Sequence, residues 1–140
     1  MKSGLHPRDL QRKFGRACAN ALDATADRLE NEFTSQITTV KWPWASEGGA
    51  EITFRKNGTP TAEPRNIVDL GDLRRSQTRT KTTKTEVEWQ WQVDYSAIVH
   101  DGAQLKSGGA YPARPWTKAA EREVKPLEYF TDILERELNG

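Results

Sequence analysis

Glu86-Val87-Glu88-Trp89-Gln90-Trp91-Gln92-Val93-Asp94 is the stretch whose reading decides the fold. Val87, Trp89, Trp91 and Val93 alternate strictly with polar residues. A period of two marks a strand with one buried face. Just upstream, Thr78-Arg79-Thr80-Lys81-Thr82 alternates as well. A two- or four-residue turn around Thr83 and Lys84 would make the two runs a hairpin. Lys81 is then expected opposite Glu86 and Arg79 opposite Glu88, with Thr80 facing Val87 and Thr78 facing Trp89. A three-residue loop would instead set the basic residues against Val87 and Trp89, which is worse on both faces. The expected hairpin core spans about 76–94, with Trp89 and Trp91 on the buried face and Arg79 and Lys81 on the other.

Outward from the hairpin, the elements are helical. Upstream, Asp69 or Gly71 can start one or two helical turns that carry Leu73 inward. Downstream, Tyr95–His100 fits a short helix ended by Asp101-Gly102, and a flexible loop with Gly108-Gly109 follows. Pro115 opens a C-terminal helical region over about 115–139, with Ala119, Ala120 and Val124 facing one way. Pro126 breaks or kinks it, because proline lacks a donor and clashes with the preceding turn. Leu127, Phe130, Ile133, Leu134 and Leu138 then resume the helical period.

The chain starts with a long helix over about 7–37. Leu10, Phe14, Cys18, Leu22, Leu29, Phe33 and Ile37 form its apolar stripe, and Pro7 suits its first turn. Roughly thirty residues make a rod of about 45 Å, against about 30 Å for a small domain. Either part of the rod projects or packs on another chain, or it is a long helix crossing a sheet. Cys18 reads as a small core residue. Between this helix and the hairpin module, about 40–65 is loop-rich. It holds the aromatic knot Trp42-Pro43-Trp44, a short strand at Ala50–Phe54 and a turn at Asn57-Gly58. It reads as an insertion folded over the domain or an arm reaching a neighbour.

The 140 residues fit a single domain, 1–140, with 35% hydrophobic and 29% charged residues. The fold class expected is α+β: a long N-terminal helix and C-terminal helices packed on a small antiparallel β-sheet, with a long loop or arm. Lys and Arg total 21 against 20 Asp and Glu, a net charge of +1, without the basic excess of a dedicated nucleic-acid binder. One cysteine excludes an intrachain disulfide. The first residues lack the apolar core of a secretory signal, and no run approaches the ~18 apolar residues of a membrane span. A soluble domain of a reducing compartment is expected.

Catalytic and metal constellations are missing from the pattern. His6 and His100 have no ligand-like partner at helical spacing and read as surface or turn residues. Asp69 and Asp72 sit in a turn where helix capping explains them. Gly48-Gly49 and Gly108-Gly109 lack the strand and helix context of a phosphate loop. Glu121, Glu123, Glu135 and Glu137 lie on charged helix faces. The basic cluster Arg74, Arg75, Arg79, Lys81 and Lys84 is the one hint of nucleic acid, but the hairpin gives Arg79 and Lys81 carboxylate partners. Trp89 and Trp91 point to the buried face, away from any stacking role.

Three elements, taken in order, resemble a known family. Ile67–Ser76 resembles the "D-T-G-x-L-x-x-S" element of small head–tail joining, neck or tail-completion proteins of tailed bacteriophages, with Leu70 in place of threonine. Tyr95–Gly102 is similar to the family's "Y-A-x-x-v-e-f-G" element, with His100-Asp101 replacing an acidic-aromatic pair. Ala113–Ala119 is similar to its "A-R-P-F/W-x-x-A" element. The tryptophan-proline pair, Thr53-Phe54-Arg55 and Asn57-Gly58 are similar to segments of some members.

The resemblance implies a non-enzymatic structural protein of the virion neck, made in the host bacterial cytoplasm. Such a subunit forms a homo-oligomeric ring between the head connector and the tail. Its expected partners are its own copies, a head-closure or connector protein, and a tail terminator or tail tube protein. No membrane, no specific nucleic acid, no cofactor, no metal and no catalytic residue are implied. The motif positions Asp69, Gly71, Leu73, Ser76, Tyr95, Gly102, Arg114, Pro115 and Trp116 read as structural: Pro115 begins a helix, Trp116 packs on the sheet, and Arg114 ties the loop to a carboxylate. A tail-terminator subunit capping the tail tube is the alternative within this class. A DNA-contacting module using the basic strand is the alternative outside it.

Overall fold

The computed structural model describes residues 6–43, 52–54, 60–62, 66–68, 71–104, 106, 108 and 110–140. The fold is α+β: a long N-terminal helix and C-terminal helices around a small antiparallel hairpin. Helix α1 is Pro7–Thr38, started by Pro7 and by the His6 Nδ1 that accepts from the Arg8 backbone N–H. Two short antiparallel strands follow, β1 (Ile52–Phe54) and β2 (Pro60–Ala62). Helix α2 (Asp72–Arg75) leads into β3 (Gln77–Thr82), which pairs with β4 (Val87–Trp91). Then come α3 (Ser96–Asp101), the two-residue strands β5 (Ala103–Gln104) and β6 (Ala110–Tyr111), and the helices α4 (Trp116–Val124) and α5 (Pro126–Asn139).

The core forms where α1's C-terminal half, the hairpin, α3 and α4 meet. Phe33, Ile37, Trp42, Leu73, Val99, Trp116 and Ala120 are buried there, with Trp89, Trp91 and Val93 against them. The alternation of β4 is what delivers this. Trp89 and Trp91 both meet the Phe33 ring edge-on, at 5.2 and 5.3 Å between centroids. Trp91 in turn meets Trp116 at 5.4 Å. Such T-shaped pairs set the positive edge of one ring on the negative face of another. α4 and α5 both pack along α1. Lys125 joins them with φ +52°, a left-handed conformation that ends α4 and lets Pro126 start α5 in a new direction.

The hairpin register departs from the expectation. Arg79 pairs with Trp89, Thr78 with the outward Gln90, Lys81 with Glu88, and Thr82 with Val87. A register shift falls between Arg79 and Lys81, leaving Thr80 as the extra residue of a bulge. The bulge reverses the facing of everything before it. Lys81 keeps the outer face and reaches Glu86 at 2.7 Å. Arg79 is turned inward beside Trp89. The reason lies in α1: Asp23, Asp27 and Glu30 form an acidic row that Arg79 satisfies. An unbroken ladder cannot serve both carboxylate sets.

Other expectations are also corrected. The flexible loop after Gly102 is a small hairpin, with Ala103 opposite Tyr111 and Gln104 opposite Ala110. Leu10 and Phe14 are 47% and 53% exposed although they continue the apolar stripe. Cys18 is half-buried rather than in the core. The first buried residue of α1 is Ala17, so nearly three turns of the helix have no cover. The expected turn at Asn57-Gly58, the second tryptophan of the aromatic knot and most of the 40–65 segment lie outside the described residues.

Candidate functional site

The motif residues gather at one corner, where α2, α3 and the start of α4 meet the core. Gly71 precedes α2 with φ +81° and is buried. It sets Leu73 into the core at 3% exposure. Ser76 closes this turn, its Oγ donating to the Leu73 carbonyl at 2.7 Å. Asp69 lies outside the described residues. Tyr95 precedes α3 and accepts the Val99 N–H on its backbone carbonyl, while its side chain is 44% exposed.

Gly102 ends α3 at φ +77° and ψ 178°, a conformation nearly reserved to glycine. It also allows close approach: a Cβ there would lie 2.5 Å from the Tyr111 carbonyl oxygen and 3.0 Å from the Ala113 nitrogen. The chain passing over Gly102 is the one that carries Arg114. The Arg114 N–H donates to the Val99 and His100 carbonyls at 3.0 and 3.1 Å. Its guanidinium is 2% exposed as part of the residue, lies 4.9 Å over the Tyr111 ring, and donates from Nε to the Pro43 carbonyl at 2.7 Å. That bond goes to a backbone carbonyl. It ties the segment after α1 to the start of α4. Pro115 caps α4, and Trp116, 1% exposed, fills the corner against Trp91 and His100.

His100 is half-buried and bridges two elements, which sequence reasoning missed. Its Nδ1 lies 2.6 Å from Asp101 Oδ1 and its Nε2 lies 2.7 Å from Thr117 Oγ1. A carboxylate, an imidazole and a hydroxyl in this order can pass a proton. Catalysis would also need a substrate cavity and donors aimed at developing charge. An open cleft of about 390 Å³ lined by described residues lies away from this trio, between Ala19, Asn20 and Asp23 of α1 and the hairpin tip at Thr82–Lys84. Here the imidazole pins α3 to the first turn of α4. No sequence spacing signals the contact, since Thr117 reaches it from another element.

Electrostatics concentrate on the inner face of β3. Arg79 donates to Asp27 at 2.8 Å and to Glu30 at 3.1 Å, while Glu30 also accepts the Trp89 indole N–H at 2.9 Å. The hydrogen bond to Asp27 leads the causes that hold the Arg79 guanidinium above its ordinary value, with Glu30 adding to it against the effect of burial. Glu32 is a second ordered carboxylate. Burial alone would raise it, but bonds from Arg28 and Gln36 and the charges of Arg28 and Lys41 hold it below the ordinary range. Among the described residues no three His, Cys, Asp or Glu side chains converge as metal ligands. No described helix is long and apolar enough to cross a membrane.

The chain matches no family model, no curated protein and no solved structure. The functional reading rests on the residues and their geometry.

Proposed function

We propose that this chain is a structural, non-enzymatic subunit of a tailed-phage neck, joining the head connector to the tail as part of an oligomeric ring. One observation carries the reading. The three motif elements come together at a single corner, where Gly102 is crossed by the Ala113–Trp116 segment and Leu73 shares a core with Trp116. Their residues act as structural ties there: glycine for close approach, Arg114 for binding a carbonyl, and Trp116 for filling the corner. The uncovered first turns of α1 also suit a protein whose burial is completed by neighbours.

The described ion pairs weigh against the DNA-contacting alternative. Arg79 is taken by α1 carboxylates, Lys81 by Glu86 and Arg75 by Asp72. Phosphate binding needs cations left available on one face. The test is to inactivate the coding sequence in the genome that carries it and image the particles. Filled heads and finished tails that stay separate, and that rejoin when purified protein is added, are expected. Joined, infectious particles without the protein would sink the reading.

A further inference from the structure

Two surfaces of this chain lack cover and carry opposite charge. The first is the projecting end of α1. Every residue from Pro7 to Arg16 is exposed. Within it Arg8, Arg12, Lys13 and Arg16 face one acidic residue, Asp9, for a net +3. None of these four cations has a carboxylate within ion-pair distance among the described residues. Leu10 and Phe14 lie in the same segment with half their surface in water. Leu10 and Phe14, four apart, share one helix face; Lys13 flanks them, and Arg8, Arg12 and Arg16 lie around the other side. An exposed apolar pair at the end of a basic helix is poorly explained as a solvated helix end.

The second surface is α5. It carries Glu128, Asp132, Glu135 and Glu137 against Arg136, a net −3. It packs on α1, yet none of its residues is fully buried. Tyr129, Phe130, Ile133, Leu134 and Leu138 are covered on one side only, and Leu127 is 78% exposed. The two surfaces cannot meet within one chain. Asn20 of α1 bonds Glu137 near the end of α5, at 3.3 Å. Arg8 and Arg12 therefore lie about 12–18 Å further along the rod, beyond α5.

We propose that a second copy of this chain lays the first turns of its α1 along α5, setting Leu10 and Phe14 on the apolar margin of α5 and Lys13 toward its carboxylates, while Arg8, Arg12 and Arg16 on the far side of the helix add to the attraction through its net charge. The contact joins two different surfaces, so it is head-to-tail and repeats from copy to copy. It closes into a ring when the rotation per subunit divides the circle. It names the subunit-to-subunit contact of the proposed neck ring, and rests on that reading only for ring closure.

Sedimentation velocity on the full chain tests it. Wild type should self-associate as concentration rises, and added salt should weaken this. Arg12→Glu with Lys13→Glu, or Asp132→Lys with Glu135→Lys, should each weaken association by about tenfold or more. Mixing the two reversed proteins makes both pairings complementary, one wild-type and one with its charges exchanged, and a chain carrying all four changes should again associate with itself through the exchanged pairing alone. Because these side chains are exposed, circular dichroism should show the fold intact in each variant. A wild type that stays monomeric at the highest soluble concentration would overturn the proposal. So would reversed charges that leave association unchanged or are not rescued by each other. If the Arg12→Glu, Lys13→Glu protein lost binding to duplex DNA while associating normally, the basic end would be a nucleic-acid contact instead. Association that behaves as expected, in a phage whose heads and tails join without the protein, would remove the neck reading and leave this interface standing.

Discussion

Gly102→Ala puts the geometry of the motif corner to a direct test. At φ +77° and ψ 178° a side chain costs about 1–3 kcal/mol, because the Cβ crowds its own backbone. The same Cβ would sit 2.5 Å from the Tyr111 oxygen and 3.0 Å from the Ala113 nitrogen. Both are main-chain atoms and cannot rotate aside. Relief means moving the segment between β6 and α4, which stretches the bonds from the Arg114 N–H to Val99 and His100. One such bond is worth about 1 kcal/mol. The expected loss is thus about 3 kcal/mol, a large share of the roughly 5–15 kcal/mol of a typical domain. For a chain of this size the melting temperature should fall by about 10 °C. Thermal and urea unfolding followed by circular dichroism would measure it. Gly15→Ala is the control of opposite sign. Nothing lies within 4 Å of its Cβ position, and alanine favours an exposed helix by up to about 1 kcal/mol. Its gain should appear as slower hydrogen exchange in the first turns of α1. A Gly102→Ala protein as stable as wild type would refute the argument from backbone conformation and close approach.

Three further outcomes are expected. Trp116→Ala should lose about 3–5 kcal/mol in urea unfolding. Trp116→Phe should lose clearly less, because the buried indole nitrogen has no partner among the described residues and its removal offsets part of the lost packing. Arg79→Met should cost only about 1 kcal/mol, since Asp27 is 62% exposed and solvent screens the pair; the three carboxylates left behind should make the variant gain stability from added salt. Glu32 titrates lower folded than unfolded, so its contribution is complete above its ordinary value near 4.5 and is lost as pH falls through the lower folded value. Glu32→Gln should therefore flatten the acid limb of the stability profile in that window.

Local pattern was enough for the helices, for the β3–β4 hairpin and for which face of β4 is buried, but not for the short strands β2, β5 and β6. Val87, Trp89 and Trp91 alternate, and a strand can bury such a run only one way. Helix α1, the turn at Gly71, the end of α3 at Gly102 and the break at Pro126 were legible for the same reason: each depends on neighbours in sequence. Arg79 was not legible. Its facing is decided by Asp27 and Glu30 some fifty residues upstream, and no hairpin rule contains those carboxylates. Leu10 and Phe14 misled in the opposite way. They keep the helical period of the stripe, but α5 ends before it can cover them. At the candidate site, the glycines and Trp116 announced themselves through their type, whereas the His100 contact to Thr117 arises only once α3 and α4 are brought together.

The position of α1 also bears on how the chain acquires its fold. Its partners are β3–β4, α4 and α5, so the first long helix leaves the ribosome well before most of the surfaces it packs against. A helix of this length with a half-polar stripe is marginal alone in water. Its native contacts span nearly the whole sequence, and closing such long loops slows folding. The fold is thus completed only once α4 and α5 have been made, since both pack along α1. A stop codon or protease cut before α4 removes Trp116 and Ala120 from the core on α1, and the fragment becomes a substrate for chaperones and proteases rather than a smaller working version of the protein.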